Sequence, residues 1–156
     1  MARATYVRTA AKAVIIREDA LLAVKFQAPD GIYYTLPGGG QLPGETLAET
    51  MVRECLEEIG VRVQPHDILF VREYISDNHE FAELDRCHHQ VDFCFRVTIL
   101  PGEQPGLGSE PDTRQVGIAW LPLAGLAAER FYPRALKPLL QGLAQGTPAV
   151  YLGDIN

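Results

Sequence analysis

Apolar and polar positions vary along this chain in patterns that predict both strands and helices. Residues 9–17 and 21–27 are apolar and partly β-branched, with a turn-like stretch between them, which predicts a β-hairpin. A short aromatic strand is predicted over residues 32–36. Residues 37–40 read Pro-Gly-Gly-Gly and are expected to have irregular backbone, because consecutive glycines weaken regular elements.

The clearest helix of the sequence is predicted between Thr46 and Gly60. Thr46 and Glu49 have the spacing of a capping box, and Gly60 stands where a left-handed C-terminal cap is expected. Apolar residues recur at helical spacing between these ends and predict one buried face. The members of that face are Leu47, Met51, Val52, Cys55, Leu56 and Ile59.

The second half of the chain continues with strands and ends with helices. Strands are predicted over residues 61–63, 68–75, 91–97 and 116–121, and helices over residues 123–129 and 133–143. Residues 76–86 and 101–113 are predicted loops, and residues 147–156 a short tail. In the strand over residues 91–97, apolar residues alternate with Asp92, Cys94 and Arg96. With 156 residues, no repeat and no linker, the chain is predicted to be a single domain over residues 1–156.

Composition excludes several function classes. Apolar residues make up 47% of the chain, which is enough for a core, and the net charge is −6, which disfavours extended nucleic acid as a partner. The first residues contain no apolar stretch of signal-peptide length, and no run approaches the length of a membrane span. The three cysteines lack CxxC spacing, which is typical of reduced thiols. We therefore expect a cytoplasmic protein without membrane partners.

Three carboxylates crowd one side of the predicted helix. At about 100° per residue, Glu57 and Glu58 lie on either side of Glu54, and like charges at this spacing repel. The pattern alone fits either a solvated acidic face or a site for a divalent cation with hard oxygen ligands. The preceding glycines allow backbone atoms to approach a metal or phosphate, and Arg53 can hold a neighbouring carboxylate in a bidentate grip. These surroundings favour the metal site.

The same residues resemble the Nudix box. That pattern is Gly, five residues, Glu, seven residues, and then Arg-Glu-aliphatic-x-Glu-Glu-x-Gly-aliphatic. Here Gly39 is followed by five residues to Glu45 and by seven more to Arg53, and the segment from Arg53 to Val61 reads RECLEEIGV. Every polar and glycine position of the pattern matches. One position departs, because Cys55 stands where a bulky aliphatic residue is usual, and cysteine can still pack there as a small hydrophobe.

The resemblance implies a fold and a reaction. Nudix domains are α/β/α sandwiches with a mixed β-sheet between helices, and they hydrolyse a nucleoside diphosphate linked to another group X. By resemblance, Mg²⁺ or Mn²⁺ would be bound by four groups. These are the carboxylates of Glu54, Glu57 and Glu58 and the carbonyl of Gly38. Arg53 and Glu45 would orient the acids and, with Gly39, support the loop. Water would attack phosphorus without a covalent intermediate. Glu54, Glu57 or an acid from a loop would be the general base.

Further candidates lie outside the box. Many Nudix enzymes use an additional glutamate after the box, and Glu110 in the long loop is the first candidate for it, before Asp112 and Glu80. Family members often place a glutamate shortly before the later tryptophan, where this chain has Gln115. A solvated loop acid is the alternative interpretation for each of the three acids.

Another group of candidates surrounds three histidines. His79, His88 and His89 stand near Glu80, Glu83, Asp85 and Cys87. Their spacing matches no zinc pattern, so a loop followed by a strand explains them as well as a site does. One of these histidines is an alternative candidate for contacting a substrate phosphate or for proton transfer.

Basic and aromatic residues on the predicted strands are candidates for the substrate cleft. The basic ones are Arg8, Lys12, Lys25 and Arg72, and the aromatic ones, which could stack on a base, are Tyr33, Tyr34 and Tyr74. Strand tyrosines more often belong to a core, and Trp120 is predicted to be a core residue.

The sequence does not specify the substrate. Some Nudix subfamilies carry a proline or a tyrosine about 16 residues after the box, and residues 75–78 (Ile-Ser-Asp-Asn) supply neither. We rank nucleoside diphosphate sugars such as ADP-ribose ahead of nucleoside triphosphates, as small phosphorylated nucleotide-derived partners. Nudix domains often pair, so the resemblance also allows a homodimer. The alternative function is a catalytically silent Nudix domain that binds a nucleotide as a sensor or interaction module.

Overall fold

Residues 6–84, 86–146 and 149–156, which the computed structural model describes, form ten β-strands and two α-helices. The strands are β1 (Arg8–Val14), β2 (Ile16–Arg17), β3 (Ala20–Ala28), β4 (Gly31–Thr35), β5 (Gly38–Gly40), β6 (Val63–Ile75), β7 (His89–Ile99), β8 (Gln115–Pro122), β9 (Phe131–Tyr132) and β10 (Tyr151–Asp154). The helices are α1 (Leu47–Ile59) and α2 (Lys137–Gln141). Short 3₁₀ turns flank them at Ser76–Asn78, Leu123–Ala128, Arg134–Leu136 and Leu143–Gln145.

The strands of the described residues belong to two mixed sheets. In the first sheet the order is β10-β6-β7-β1-β5, and the β1–β7 and β10–β6 pairs are parallel. In the second sheet the order is β2-β3-β4-β9, with β8 also paired to β3. The predicted hairpin is shorter than expected. Of its first strand, predicted over residues 9–17, only the part that forms β2 pairs with β3, whereas β1 joins the other sheet. The chain divides at Ile15, whose carbonyl accepts from the Leu22 amide.

Two apolar cores lie on opposite faces of the same strands. In β3, Leu22 and Val24 pack in the core that includes Met51, Cys55 and Ile59 of α1. Leu21 and Ala23 point into the other core, which includes Leu136 and Leu140 near α2. Side chains that alternate between two faces require apolar residues at successive positions, as β3 has. Helices thus cover the strands on both sides, and the predicted α/β/α sandwich is confirmed, with its mixed strands divided between two sheets.

Several local predictions need correction. The stretch that was expected to be irregular contains strand β5, because Gly38, Gly39 and Gly40 pair antiparallel with Lys12, Ala11 and Ala10 of β1. The expected tail contains β10, which pairs with β6, whereas Thr147 and Pro148 lie outside the described residues. The two strands predicted after α1 form one long strand, β6. No helix in the described residues is long and apolar enough to span a bilayer.

Candidate active site

Local sequence signals place α1 and its acidic residues. The Thr46 hydroxyl accepts from the Glu49 amide at 3.2 Å, and the Glu49 carboxylate accepts from the Thr46 amide at 2.7 Å, so the predicted capping box is present. Gly60 ends the helix with φ of 68°, a left-handed conformation that favours glycine. The predicted face is only partly buried, because Val52 and Leu56 are 37% and 48% exposed. Glu58 is instead buried on the side of the helix that faces β5.

Strand β5 brings two box glutamates against the glycine backbone. The Gly38 amide donates to Glu58 Oε2 at 2.8 Å. A Cβ added at Gly39 would lie 2.6 Å from the carboxylate carbon of Glu54, and a Cβ added at Gly38 would lie 2.1 Å from the Ala11 carbonyl oxygen. Glycine at both positions therefore permits a sheet pairing and a close contact with α1 at the same place.

Arg53 connects the other acidic residues of the box. Its Nε and Nη2 donate to the two carboxylate oxygens of Glu45 at 2.6 and 3.0 Å, which is a bidentate pair. Nη1 donates to Glu54 at 2.8 Å and to Glu57 at 3.2 Å, and Nη2 also donates to the Gly40 carbonyl at 3.0 Å. The pKa of Glu45 is lowered to about 2, and the hydrogen bonds from Arg53 are the largest cause. The guanidinium thus holds three carboxylates and the glycine strand in one arrangement.

Glu58 differs from its neighbours in environment. Glu58 is only 9% exposed, and this burial raises the pKa of its carboxyl group to about 7. The charge of Lys12 and the hydrogen bond from Gly38 oppose that shift, whereas the charge of Glu54 adds to it. Lys12 Nζ also donates to the Gly38 carbonyl at 3.1 Å. The Lys12 ammonium therefore already contacts the Gly38 carbonyl, which the resemblance implies as a metal ligand.

The donor set fits a hard divalent cation. Glu54 Oε1 and Glu57 Oε2 are bonded to Arg53, and within the described part of the chain no protein donor is bonded to their other carboxylate oxygens. The guanidinium of Arg53 and the ammonium of Lys12 offset only part of the negative charge of the box carboxylates. Oxygen ligands with net negative charge suit Mg²⁺ or Mn²⁺. As they stand, no three His, Cys, Asp or Glu side chains among the described residues are arranged as a finished metal site. Binding would require the glutamate side chains to converge.

A two-part cleft opens beside these residues. The inner cavity, of about 270 Å³, is lined by Lys12, Gly38, Glu58, Asp92 and Asp112 among others. The outer cavity, of about 1080 Å³, is lined by five arginines and several aromatic rings. The two cavities share lining residues, which are Tyr33, Arg72, Gln90, Tyr132 and Asn156. They therefore form one continuous cleft from the acidic residues outward.

Most of the predicted cleft residues lie at this cleft. Arg8, Lys12 and Arg72 line it, as do Tyr33 and Tyr74. Neither Lys25 nor Tyr34 is among its lining residues, and Tyr34 packs against an apolar core.

Comparison with known proteins identifies the family. Residues 7–141 match the family model described as NUDIX domain. The chain belongs to the Nudix family. It is 48% identical over 40 residues to the RNA pyrophosphohydrolase of Coxiella burnetii, covering 26% of this chain and 17% of that protein. It is 28% identical over 142 residues to mouse (Mus musculus) nucleoside diphosphate-linked moiety X motif 6, covering 77% of this chain and 40% of that protein.

A solved Nudix structure shows the same fold. The crystal structure of a NUDIX hydrolase from Nitrosomonas europaea superposes with a TM-score of 0.71 at 23% identity, covering 96% of this chain and 78% of that one. The chain spans less than half the length of the two curated relatives.

The one departure from the Nudix box lies in the core. Cys55 is fully buried, and its Sγ lies 3.8 Å from the Met51 sulfur. Burial raises the pKa of the Cys55 thiol above its ordinary value, and it also raises the pKa of Cys94 to about 12. Both thiols therefore behave as small hydrophobes, which the sequence predicted for Cys55 alone. Cys87 is half-buried, and Cys55 and Cys94 are free thiols.

The acids proposed outside the Nudix box lie in different places. The Glu110 amide donates to the Glu57 carbonyl at 3.0 Å, but the residue is exposed and does not line the cleft. Asp112 lines the inner cavity with Glu58, so it is better placed than Glu110 to act there. Glu80 lies near Arg134, with 3.9 Å between their charged groups. Gln115 donates to the Glu58 carbonyl at 2.8 Å and so holds the end of α1.

The three histidines of this Nudix domain do not share a site. His79 contacts Asp154 at 2.6 Å and stacks on Tyr74, whereas His89 lies 3.5 Å from Glu73. His88 lines the outer cavity and contacts Gln90 at 3.2 Å. Asp85, which the sequence placed near them, lies outside the described residues. Among the three, only His88 lines the cleft.

Sequence reasoning missed a buried polar chain in the cleft wall. Arg72 Nε donates to Asp92 Oδ2 at 2.8 Å, and Gln90 Nε2 donates to Asp92 Oδ1 at 2.6 Å. The sequence predicted only that Asp92 alternates with apolar residues along a strand. In the structure β7 is covered on both faces and Asp92 is 2% exposed. The signal in the sequence was that Asp92 lies two positions before Cys94 on the same strand, so both face the same side. Cysteine is a residue type that is usually buried.

Proposed function

We propose that this chain is a metal-dependent pyrophosphohydrolase that cleaves a nucleoside diphosphate linked to a group X. One observation carries the proposal. The glycine strand and α1 bring Glu58 onto the Gly38 amide and Glu54 against Gly39, and Glu58 lines the inner cavity of the cleft. Family membership supports pyrophosphate hydrolysis as the reaction, with a small nucleotide-derived substrate.

The proposed metal ligands are the oxygen groups of the box that suit a divalent cation. Glu54, Glu57 and Glu58 and the Gly38 carbonyl would hold Mg²⁺ or Mn²⁺. Such an ion, when bound, neutralises phosphate charge and acidifies water. Glu58 already accepts from Gly38, which fixes its direction. Lys12 would have to leave the Gly38 carbonyl, and the adjoining inner cavity offers its ammonium a place near phosphate oxygens.

The remaining residues of the box position these acids. Arg53 binds Glu45, Glu54 and Glu57 together, so it limits the rotamers that the two ligand glutamates can adopt. Glu45 completes the arrangement, because it also accepts from the Leu42 amide at 3.1 Å and fixes the loop before α1. Restricted rotamers reduce the conformational entropy that these side chains lose when they converge on a metal.

The general base is an acid that can reach water beside the phosphorus atom. Glu54 and Glu57 each keep one carboxylate oxygen that Arg53 does not bind. Asp112 is the loop acid at the inner cavity, and it takes precedence over Glu110 on position. Each of these carboxylates can accept the proton that water releases as it attacks phosphorus.

The proposed substrates are nucleotide sugars such as ADP-ribose, followed by (deoxy)nucleoside triphosphates. Tyr33 and Tyr132 stand at the junction of the two cavities, and their rings pack at 73° with centroids 6.0 Å apart. Such rings can contact a base or a sugar on its apolar face. A cytoplasmic location and a homodimer are retained as predictions from the sequence.

The alternative is a Nudix domain that binds a nucleotide without turnover. Loss of a box acid would favour it, but the box carries each of its glutamates. The discriminating experiment is a panel of nucleotide derivatives incubated with Mg²⁺ in ¹⁸O-labelled water, with products identified by mass spectrometry. We expect ¹⁸O in one phosphate product and no turnover in EDTA. Tight binding of a nucleotide with no labelled product would establish the alternative.

A further inference from the structure

The outer cavity is basic in an acidic protein. Five of the eleven arginines in the sequence line it, although the chain has a net charge of −6. They are Arg8, Arg72, Arg86, Arg114 and Arg130. Asp30 is the one acidic residue among the lining residues that the structure describes. Arginines grouped in a cleft are the usual means of binding phosphate.

Three of these arginines are paired with acids. Arg72 pairs with the buried Asp92 at 2.8 Å, Arg130 with Asp30 at 2.9 Å, and Arg86 with Glu83 at 3.0 Å. Within the described residues, no carboxylate lies within 4.0 Å of Arg8 or Arg114. The uncompensated positive charge of the outer cavity therefore belongs to these two residues.

Arg8 is held in place beside the acidic site. Its Nη1 donates to Gln90 Oε1 at 3.0 Å, and Gln90 is fixed by the buried Asp92. A Cβ added at Gly40 would lie 2.3 Å from Arg8 Nη2, so the guanidinium lies directly against the glycine strand that contacts the box acids. A phosphate bound by Arg8 would therefore be close to the bond that is hydrolysed.

Arg114 extends the positive charge along the cleft. It lies directly before β8, and its carbonyl accepts from the Gln27 amide at 3.0 Å, which fixes the backbone at the end of β3. The outer cavity, of about 1080 Å³, lies at the upper end of the roughly 300–1,000 Å³ that ordinary ligand sites occupy. Volume and charge together indicate a substrate with a second anionic part.

We propose that the outer cavity binds a phosphate group additional to the scissile pyrophosphate, and that Arg8 and Arg114 select substrates that carry it. This inference rests on the proposed function and narrows the substrate class within it. The additional phosphate can belong to a longer polyphosphate bridge or to a phosphorylated ribose. Within the proposed function, this places substrates with a further phosphate ahead of ADP-ribose, whose uncharged terminal ribose would leave both arginines without an anionic partner.

Two matched pairs of compounds test the inference. Diadenosine tetraphosphate against diadenosine diphosphate varies the bridge, and NADPH against NADH varies a ribose phosphate. Binding is measured by calorimetry in EDTA, and kcat/KM is measured separately with Mg²⁺. The wild type should favour the more highly phosphorylated member of at least one pair by about tenfold or more, as expected for a charge-assisted hydrogen bond. The pair that shows the preference identifies the source of the phosphate.

Three variants assign the preference to residues. Arg8→Ala and Arg114→Ala should each reduce the binding preference severalfold, and added salt should weaken it in the wild type. Arg96→Ala is the matched control, because Arg96 is exposed on β7, forms no ion pair with the described residues and does not line the cleft. Its preference should equal that of the wild type.

The outcomes separate this inference from the proposed function. A wild type that binds neither phosphorylated compound measurably, or binds both members of each pair equally, overturns the inference. Equal preferences in all three variants also overturn it. A preference that is lost in Arg8→Ala or Arg114→Ala supports the inference even if no compound is hydrolysed, and that absence of turnover would count against the proposed function alone.

Discussion

Gly39 offers a sharp test of the geometry, because its replacement by alanine disturbs one carboxylate. The added Cβ would lie 2.6 Å from the carboxylate carbon of Glu54, whereas ordinary contacts begin at 3.4 Å. The carboxylate must therefore move by about 0.8 Å, the difference between these two distances. Its hydrogen bond from Arg53, now 2.8 Å, would be broken or bent.

The expected effect is large on activity and small on stability. If Glu54 holds the metal as proposed, a shift of this size should lower kcat by about 100-fold. Stability should change by no more than about 1 kcal/mol, because the lost ion pair contributes little and alanine restricts the unfolded chain. Gly39 does not have positive φ, so alanine adds no backbone strain. Affinity for Mn²⁺, measured by titration, should fall with kcat.

Gly106→Ala is the matched control for this variant. Gly106 also has ordinary backbone conformation, but an added Cβ would meet nothing within 4 Å. We expect wild-type kcat, Mn²⁺ affinity and melting temperature for Gly106→Ala. If Gly39→Ala keeps kcat and Mn²⁺ affinity within twofold of the control, the close contact between β5 and Glu54 does not matter for function and the reasoning is refuted.

Three further predictions concern the site and the core. Arg53→Lys should lower kcat about 10- to 100-fold, because an ammonium cannot reproduce the forked contacts, and steady-state kinetics at wild-type levels would contradict this. In EDTA, ionisation of Glu58 should destabilise the wild type as pH rises from about 4.5 to about 7, because the pKa of Glu58 is raised in the folded state. Urea unfolding should show that the free energy of unfolding falls by up to about 3 kcal/mol over this range in the wild type but not in Glu58→Gln. Equal pH dependence of the two proteins would be inconsistent with this prediction. A thiol reagent should label Cys87 in the native protein but reach Cys55 and Cys94 only on unfolding, and rapid labelling of all three would disprove their burial.

Local signals made the acidic helix predictable. Its start at Thr46, its end at Gly60 and the spacing of its glutamates depend on residues within a few positions of each other. The core position of Cys55 followed from the same periodicity. The exposure of Val52 and Leu56 did not, because the width of the buried stripe depends on how α1 lies against the strands.

Long-range contacts could not be predicted from the sequence. Strand β5 exists because three glycines pair with β1, about 28 residues earlier, and glycine propensity alone favours irregular backbone. The pair of Arg72 and Asp92 joins neighbouring strands β6 and β7, and the basic outer cavity joins residues from several elements. Arg8 was a candidate for the cleft, but only the fold places it against Gly40.

The central claim is that the box glutamates hold the metal that hydrolysis requires. Glu57→Gln tests it most directly, because Glu57 is half-buried, at 30% side-chain exposure, and is bonded through one oxygen to Arg53, so an amide can replace it without loss of fold. With Mg²⁺ and the best substrate of the wild type, we predict no ¹⁸O incorporation above background, together with an unchanged circular dichroism spectrum. Wild-type turnover in Glu57→Gln would contradict the account.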